Sequence, residues 1–238
     1  MLLSKIVSPE EQQAVVEKKG RALLMVFVDI DSEHDADFNA WYNDEHVGDL
    51  MKFPGFLNFA RYQALKGSPR YLAMYELESV GALESEEYLN FRRNPSEWTQ
   101  RIALSTKGRN YSRIVCTQIY PKENDSHVLG RGMAPAIQVG RMEVPAEIEA
   151  KYNEYYDNVR TPANLELPGC IAVRRYHAVE GGPKYTTVYE FEHETVPESQ
   201  AWRNRSAQDG MHDYIGGVYG HAPGSPGVYR RIFPSRTF

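Results

Sequence analysis

The sequence predicts an α+β fold built from two tandem copies of a βαββαβ unit. Apolar, strand-like runs alternate with amphipathic helical segments along 238 residues, of which 42% are hydrophobic and 12% aromatic. The chain also repeats itself, since Pro168-Gly169 lies 114 positions after Pro54-Gly55 and many other turn and strand residues keep that offset. Finally, the strands carry polar residues on a face that the sheet of the other copy would cover.

Local patterns place the elements of the first copy. Apolar runs bounded by turn signals predict four strands, at residues 22–30, 56–65, 70–79 and 111–120. Helical spacing predicts two helices, one from Phe38 up to Pro54-Gly55 and one over residues 84–102 that breaks or kinks at Asn94-Pro95. The resulting order is that of a ferredoxin-like unit.

The constant offset divides the chain. It pairs the following residues: Tyr42 with Tyr156, Arg61 with Arg175, Tyr62 with Tyr176, Gly67 with Gly181, and Tyr75 with Tyr189. We therefore expect a first unit at residues 21–121 and a second at 134–238, called the first half and the second half below, joined by a linker at 122–133. Residues 1–20 are expected to be a helical extension, because Ser8-Pro9 is a helix-start signal.

Strand alternation predicts which side chains share a face of the sheet. Residues expected to lie under the helices are Leu57, Phe59, Ile171 and Val173. Residues expected on the opposite face are Phe56, Asn58, Ala60 and Tyr62 in the first half, and Cys170, Ala172, Arg174 and Tyr176 in the second. The sheet of the other half is the expected cover for that second face.

Composition excludes several functions. The formal net charge of -5 argues against a nucleic-acid binder, because no basic excess is available to neutralise phosphates. Cys116 and Cys170 are too few for a disulfide framework, and no apolar run is long enough to span a bilayer. The acidic segment from Asp29 to Asp37 precedes a helix start, where negative charge is favourable without a metal. We expect a cytoplasmic protein with no metal site.

The motif Trp41-Tyr42-Asn43-Asp44-Glu45-His46, followed by Pro54-Gly55-Phe56, resembles the first helix of EthD-like proteins in the dimeric α+β barrel superfamily. The resemblance implies that two antiparallel sheets close into one barrel within the chain, with a pocket between each sheet and its own helices. Members include cofactor-independent isomerases, dehydratases, decarboxylases and cyclases, monooxygenases, haem proteins and auxiliary proteins. The family alone therefore does not select an activity.

His46 is the main catalytic candidate. An imidazole can accept and donate a proton near neutral pH, as enolisation, dehydration and decarboxylation require, and the resembling family places a histidine here facing the pocket. Asp44 and Glu45 lie on different helix faces, so at most one of them could orient or tune the imidazole. The alternative is that His46 only stabilises the end of its helix through the macrodipole.

Further candidates surround His46. Tyr62 and Asn58 could hold a substrate oxygen, or be ordinary barrel residues with satisfied partners. Trp41 and Tyr42 are candidate substrate contacts, although apolar residues at helical spacing are core by default. In the second half, Arg160 replaces His46, and two interpretations are open. Either Arg160 and Arg174 bind an anion such as a carboxylate, or the second half is a structural partner.

The expected function is a cofactor-independent lyase or isomerase acting on a small apolar carbonyl or phenolic metabolite, with one active site in the first half. One alternative is a non-catalytic protein that binds a ligand or supports a catabolic pathway. Another is a relative of the haem-binding or cofactor-free monooxygenases. We expect a small-molecule partner, no nucleic acid and no membrane, and a homodimer is one option for the oligomeric state.

Overall fold

The computed structural model describes residues 19–124, 128–129 and 132–235, and the strands within them form a closed antiparallel barrel. The strands are β1 (Ala22–Asp29), β2 (Phe56–Lys66), β3 (Tyr71–Leu77), β4 (Arg109–Tyr120), β5 (Ala136–Glu143), β6 (Cys170–Glu180), β7 (Tyr185–Phe191), β8 (Gly220–His221) and β9 (Gly227–Phe233). Eight of them follow one another around the barrel as β7-β6-β4-β1-β3-β2-β9-β5, and β5 pairs with β7 to close it. The predicted α+β class and the barrel are confirmed. The predicted N-terminal helix and part of the predicted linker lie outside the described residues.

The two halves meet edge to edge at two seams. At one seam β4 pairs with β6, with Cys116 opposite Ala178, and at the other β2 pairs with β9, with Gln63 opposite Arg230. The strand order is β4-β1-β3-β2 in the first half and β6-β7-β5-β9 in the second. Because closure gives the edges of each sheet a backbone partner, the interior of the barrel belongs to both halves.

Helices cover the outer face of each sheet. They are α1 (Asp35–Trp41, a π-helical turn at Tyr42–His46, and Val47–Leu50), α2 (Glu86–Arg93), α3 (Glu97–Ile102), α4 (Leu104–Lys107), α5 (Ala146–Tyr155, a π-helical turn at Tyr156–Arg160, and Thr161–Leu165), α6 (Gln200–Ala207) and α7 (Met211–Ile215). The predicted break at Asn94-Pro95 separates α2 from α3. None of the helices in the described residues has the length and apolarity needed to cross a bilayer.

The first strand is buried on both faces, as predicted. Leu24 and Val26 belong to a core cluster with the helix residues Phe38 and Trp41. Their neighbours Leu23, Met25 and Phe27 belong to a second cluster inside the barrel, which includes residues from the second half. This double burial explains why the strand is apolar at nearly every position.

The predicted face of Phe56 is wrong because a β-bulge interrupts the alternation. The register of β2 against β3 shifts between Phe56 and Asn58, so Phe56 packs with the helix-facing cluster while Ala60 and Tyr62 enter the barrel. A bulge adds one residue to a strand and restarts the alternation beyond it. The same shift between Cys170 and Ala172 places Cys170 in a helix-facing cluster and Ile171 against the barrel interior, opposite to the prediction.

Both turns after the first helices require glycine. Gly55 has a φ of 84°, and a Cβ there would lie 2.7 Å from the Cβ of Ala82. Gly169 has a φ of 81°, and a Cβ there would lie 2.6 Å from Cγ2 of Val196. A side chain would therefore meet both backbone strain and a clash, which accounts for glycine at both positions.

One arginine in each half clamps the first helix onto the sheet. The guanidinium carbon of Arg61 lies 4.4 Å from the ring centre of Tyr42, and its nitrogens donate to the Oδ1 atoms of Asn39 and Asn43 at 2.7 Å each. The equivalent contacts recur around Arg175, which lies over Tyr156 and donates to Asn153 and Asp157. Each residue of the second clamp follows its counterpart by the same offset of 114 positions.

Candidate active site

A cavity of about 380 Å³ lies between the sheet of the first half and helices α1 to α4. This volume is within the range of about 300–1,000 Å³ that is typical of small-molecule sites. Aliphatic and aromatic side chains make up most of its wall, and its polar groups come from His46, several tyrosines, Thr99, Gln100 and two arginines. The pocket predicted between the first sheet and its helices is therefore present.

His46 ends the π-helical turn of α1 and lies in the wall of this cavity. Its ring stacks on the indole of Trp41 with a centroid distance of 4.2 Å, and its Nδ1 atom is buried without a hydrogen-bond partner among the described residues. Burial lowers the pKa of His46 to about 4; the charge of Asp49 opposes this shift and that of Arg61 adds to it. The imidazole is therefore uncharged at neutral pH.

The two carboxylates next to His46 in sequence do not contact it. Asp44 is exposed, and Glu45 accepts a hydrogen bond from Oγ of Ser96 at 2.5 Å. Ser96 is the N-cap of α3, so Glu45 ties α1 to α3 rather than orienting the imidazole. The prediction that one of them tunes His46 is not supported by this geometry, because successive helix residues point about 100° apart. Asp49, one turn later, is the carboxylate whose charge reaches the ring.

Trp41 and Tyr42 line the cavity, as the sequence analysis proposed. The indole nitrogen of Trp41 donates to Oγ1 of Thr99 at 3.1 Å, which fixes the plane on which His46 stacks. Tyr42 lies between this site and the Arg61 clamp and packs its ring edge against His46 at 5.2 Å. Both residues therefore hold the imidazole in place and also form part of the helix core.

Tyr62 and Asn58 lie on the opposite face of the sheet from His46. Tyr62 donates to the carbonyl oxygen of Ala134 at 3.0 Å, and Nδ2 of Asn58 donates to Oε2 of Glu76 at 2.9 Å, both within the barrel. The expectation that they hold a substrate oxygen beside His46 is therefore corrected. The alternation of β2 beyond its bulge directs them into the barrel, where they have partners in the second half or in the interior.

Three tyrosines that were not predicted from the sequence line the cavity in their place: Tyr75 on β3, Tyr88 on α2 and Tyr111 on β4. Burial raises the pKa of Tyr75 and that of Tyr111, so both hydroxyls stay protonated at neutral pH and can donate a hydrogen bond. Alternation could have identified the two strand residues, because Tyr75 and Tyr111 share the helix-facing side with Ala73 and Val115.

A second cavity of about 450 Å³ lies at the corresponding place in the second half. Arg160 and Trp202 line it, and they follow His46 and Tyr88 of the first cavity by the offset of 114 positions. Arg160 is ion-paired with Asp209 and donates to the hydroxyl of Tyr189 at 3.3 Å. Its charge is therefore already compensated by the protein.

Arg174 and Arg160 lie in different parts of the second half. Arg174 is inside the barrel, whereas Arg160 lines the second cavity. Arg174 pairs with Glu76 and with Glu190, each at 2.6 Å, and is almost fully buried. The structure does not bring Arg160 and Arg174 together, so the interpretation in which this pair binds an anion is not supported by the geometry. In the described residues, no group of three or more histidine, cysteine or acidic side chains is arranged to hold a metal ion.

No family model matches the chain, and no curated protein matches it in sequence. Solved structures resemble it in fold. An anthrone oxidase-like protein has a TM-score of 0.57 at 12% identity, over 91% of this chain and 92% of that chain. A variant of chlorite dismutase from Candidatus Nitrospira defluvii has a TM-score of 0.54 at 12% identity, over 93% and 95%. A monooxygenase-like protein from Lactobacillus acidophilus NCFM has a TM-score of 0.52 at 8% identity, over 88% and 93%. Similarity at this level establishes the α+β barrel fold alone.

Proposed function

We propose that the first-half cavity binds a small, mostly apolar carbonyl or phenolic compound and that the protein is a cofactor-independent lyase or isomerase with His46 as the general acid/base. One observation carries this proposal: an uncharged imidazole lies in the wall of an aromatic cavity. Enzymes also predominate among the proteins that share the fold, which favours catalysis over binding alone.

In the proposed reaction, His46 removes a proton next to a carbonyl group or from a phenolic oxygen and later returns it. The negative charge that develops on the substrate oxygen would be stabilised by the hydroxyl groups of Tyr75 and Tyr111, which stay protonated in the buried site. That negative charge would also raise the pKa of His46 from its low resting value, so the imidazolium becomes accessible when the proton is transferred.

Replacement of His46 with Gln tests this assignment. We expect turnover to fall by about 10² to 10⁴, because general acid/base catalysis contributes that much, while substrate binding is largely retained. The matched control is His34→Gln, which changes an exposed histidine outside the cavity and should leave turnover unchanged. Activity of His46→Gln within a few-fold of wild type would remove His46 from the mechanism.

The alternative of a binding or accessory protein predicts a different result in the same experiment. A compound that stabilises the protein against heat should then be recovered unchanged after prolonged incubation with the wild type. Quantitative recovery of each tight-binding compound by mass spectrometry would favour this alternative over catalysis.

A second candidate function, haem binding, rests on the neutral imidazole of His46 in the cavity wall, since a neutral imidazole is the form that ligates iron. His46 would be the iron ligand, and haem would supply redox chemistry when bound. Titration of the purified protein with haemin distinguishes this candidate. A Soret band that His46→Gln shifts or abolishes favours it, and no band removes it.

We also propose that the two halves are copies of one unit and that the chain is related to the EthD-like proteins. Support comes from the two arginine clamps, the two glycine turns and the two cavities, which recur at one offset. His46 has no counterpart in the second half, because Arg160 occupies that position and is paired with Asp209. The proposal is therefore one active site per chain.

A further inference from the structure

One end of the His46 cavity is positively charged. Arg92 on α2 and Arg113 on β4 both line it, together with Tyr111. Burial raises the pKa of Tyr111, while the charges of Arg113 and Arg92 both lower it, which means that the two guanidinium groups lie near the same hydroxyl. Arg113 is mostly buried, with 13% of its side chain exposed, whereas Arg92 is exposed at the rim.

This charge is not balanced within the cavity. None of the side chains that line it in the described structure is an aspartate or a glutamate. Arg92 has no ion pair among the described residues, although its neighbour Arg93 pairs with Glu86. Arg113 pairs with Glu180, which reaches it from β6 of the second half across the β4–β6 seam and is itself 61% exposed.

We propose that the cavity selects an aromatic carboxylate, with the acid group bound by Arg113 and Arg92 and the ring held against Trp41, His46 and Phe91. This inference rests on the proposed function and names the substrate class of the same site. Guanidinium groups bind planar carboxylates through two parallel hydrogen bonds, and the aromatic wall offers faces for stacking. Glu180 then acts as an exchangeable counter-ion, because its carboxylate is mostly exposed to solvent and a carboxylate bound in the cavity can replace it.

The test compares acids with neutral compounds of the same shape. Benzoate is paired with benzamide, and 2-naphthoate with 2-naphthamide, so that ring size is separated from charge. Binding is measured by isothermal titration calorimetry at low ionic strength. We expect at least one acid to bind tenfold or more tightly than its amide, and we expect Arg113→Met to abolish that preference.

Matched variants test each partner. Glu180→Gln should tighten binding of the acid several-fold without changing that of the amide, because it removes the competing carboxylate. Arg92→Met should weaken binding of the acid, whereas Arg93→Met, its exposed neighbour outside the cavity, should not. Equal affinity for acid and amide, or no binding of either pair, would overturn the inference.

Failure of this inference can be distinguished from failure of the proposed function, because acid binding and turnover are measured separately. A preference for the acid that persists in His46→Gln supports recognition by the arginines even where no catalysis is found. Loss of turnover in His46→Gln without any preference for the acid overturns the inference and leaves His46 as the acid/base.

Discussion

His46 combines a polar ring with surroundings that cannot solvate its charge. The indole of Trp41 covers one face, Phe91 lies on another side, and the nearest influential carboxylate, Asp49, only partly offsets the effect of burial. Removing an imidazolium from water without pairing it is costly, so the neutral form is favoured. A resting neutral base that becomes stronger only when a ligand brings negative charge suits a proton-transfer site.

The stability of the protein should depend on pH through this residue. An unfolded histidine takes up a proton near pH 6.5, whereas His46 in the folded protein does so only near pH 4, so the unfolded state binds more protons between these values. We expect the free energy of unfolding to fall by about 2 kcal/mol more between pH 7 and pH 5 in the wild type than in His46→Gln. Urea denaturation at the two pH values measures this difference. His34→Gln should behave as the wild type, and identical pH dependence in all three proteins would contradict the assigned pKa.

The position of His46 in the pocket wall was predicted from the sequence, but its contacts were not. Helical spacing put His46 on the apolar face of the first helix, and the resemblance to EthD-like proteins implied that it faces the pocket. The roles of Glu45 and Asn58 could not be predicted, because each depends on a contact between residues distant in sequence, with Ser96 and Glu76 respectively. Only the folded chain specifies such contacts.

At the scale of elements, the arginine clamps determine how each first helix sits on its sheet. Arg61 is almost fully buried, and it contacts aromatic ring faces and amide oxygens instead of water. It donates hydrogen bonds to both Asn39 and Asn43. These asparagines are one turn apart and lie on either side of the start of the π-helical turn. The clamp therefore holds the segment that presents His46 to the cavity.

Replacement of Arg61 with Met should destabilise the protein by roughly 2 to 4 kcal/mol. The change removes a cation–π contact and two charge-assisted hydrogen bonds, and it leaves the asparagine oxygens without their donor. Arg70→Met is the matched control, because Arg70 is exposed and pairs with Asp35 at the surface, so its loss should cost less than about 1 kcal/mol. Chemical denaturation of both variants gives the comparison. Equal losses in the two variants would show that the Arg61 contacts add nothing beyond a surface pair.

Elements were predicted more accurately than the directions of their side chains. Each strand and helix predicted for the first half was found within a few residues of its predicted position, because apolar runs and turn signals are local, whereas the short helix α4 was not predicted. The bulges beside Phe56 and Cys170 were not predicted, since a bulge is defined by pairing with β3 or β7 and leaves no mark in the strand's own sequence.

At the scale of the whole molecule, a buried ion cluster joins the halves inside the barrel. Arg174 of the second half bridges Glu76 of the first and Glu190 of the second, and Lys19 also reaches Glu76 at 3.2 Å. Burial alone would raise the pKa of Glu76, but the charges of Lys19 and Arg174 outweigh it and hold the pKa below its usual value. Glu190 therefore relies on Arg174 as its ion-pair partner within the described residues, whereas Glu76 is compensated by both Arg174 and Lys19.

Arg174→Met should destabilise the protein by about 3 to 5 kcal/mol at pH 8, because it leaves two carboxylates close together in the interior. The loss should be smaller at pH 5, where a carboxylate with a raised pKa can be protonated. Thermal unfolding at both pH values measures the effect. The double variant Arg174→Met/Glu190→Gln should recover part of the stability. A loss that is the same at both pH values would indicate a packing defect instead of uncompensated charge.

The barrel itself followed from the sequence more directly than this cluster did. Burial of β1 on both faces required a cover for its inner side, and the repeat supplied a second sheet of matching size. Alternation placed Arg174 and Tyr176 on that inner side correctly. Their partners depend on how the two sheets are turned against each other, which the pattern of one strand does not encode.

The two seams have a consequence for biosynthesis. Ribosomes make the first half first, but its edge strand β2 pairs with β9, about a hundred residues beyond the end of β4, which corresponds to roughly 5 to 20 s of translation. During that interval Leu23, Met25 and Phe27 face water or a chaperone instead of the second sheet. The nascent chain should therefore engage chaperones most strongly just before β9 leaves the exit tunnel.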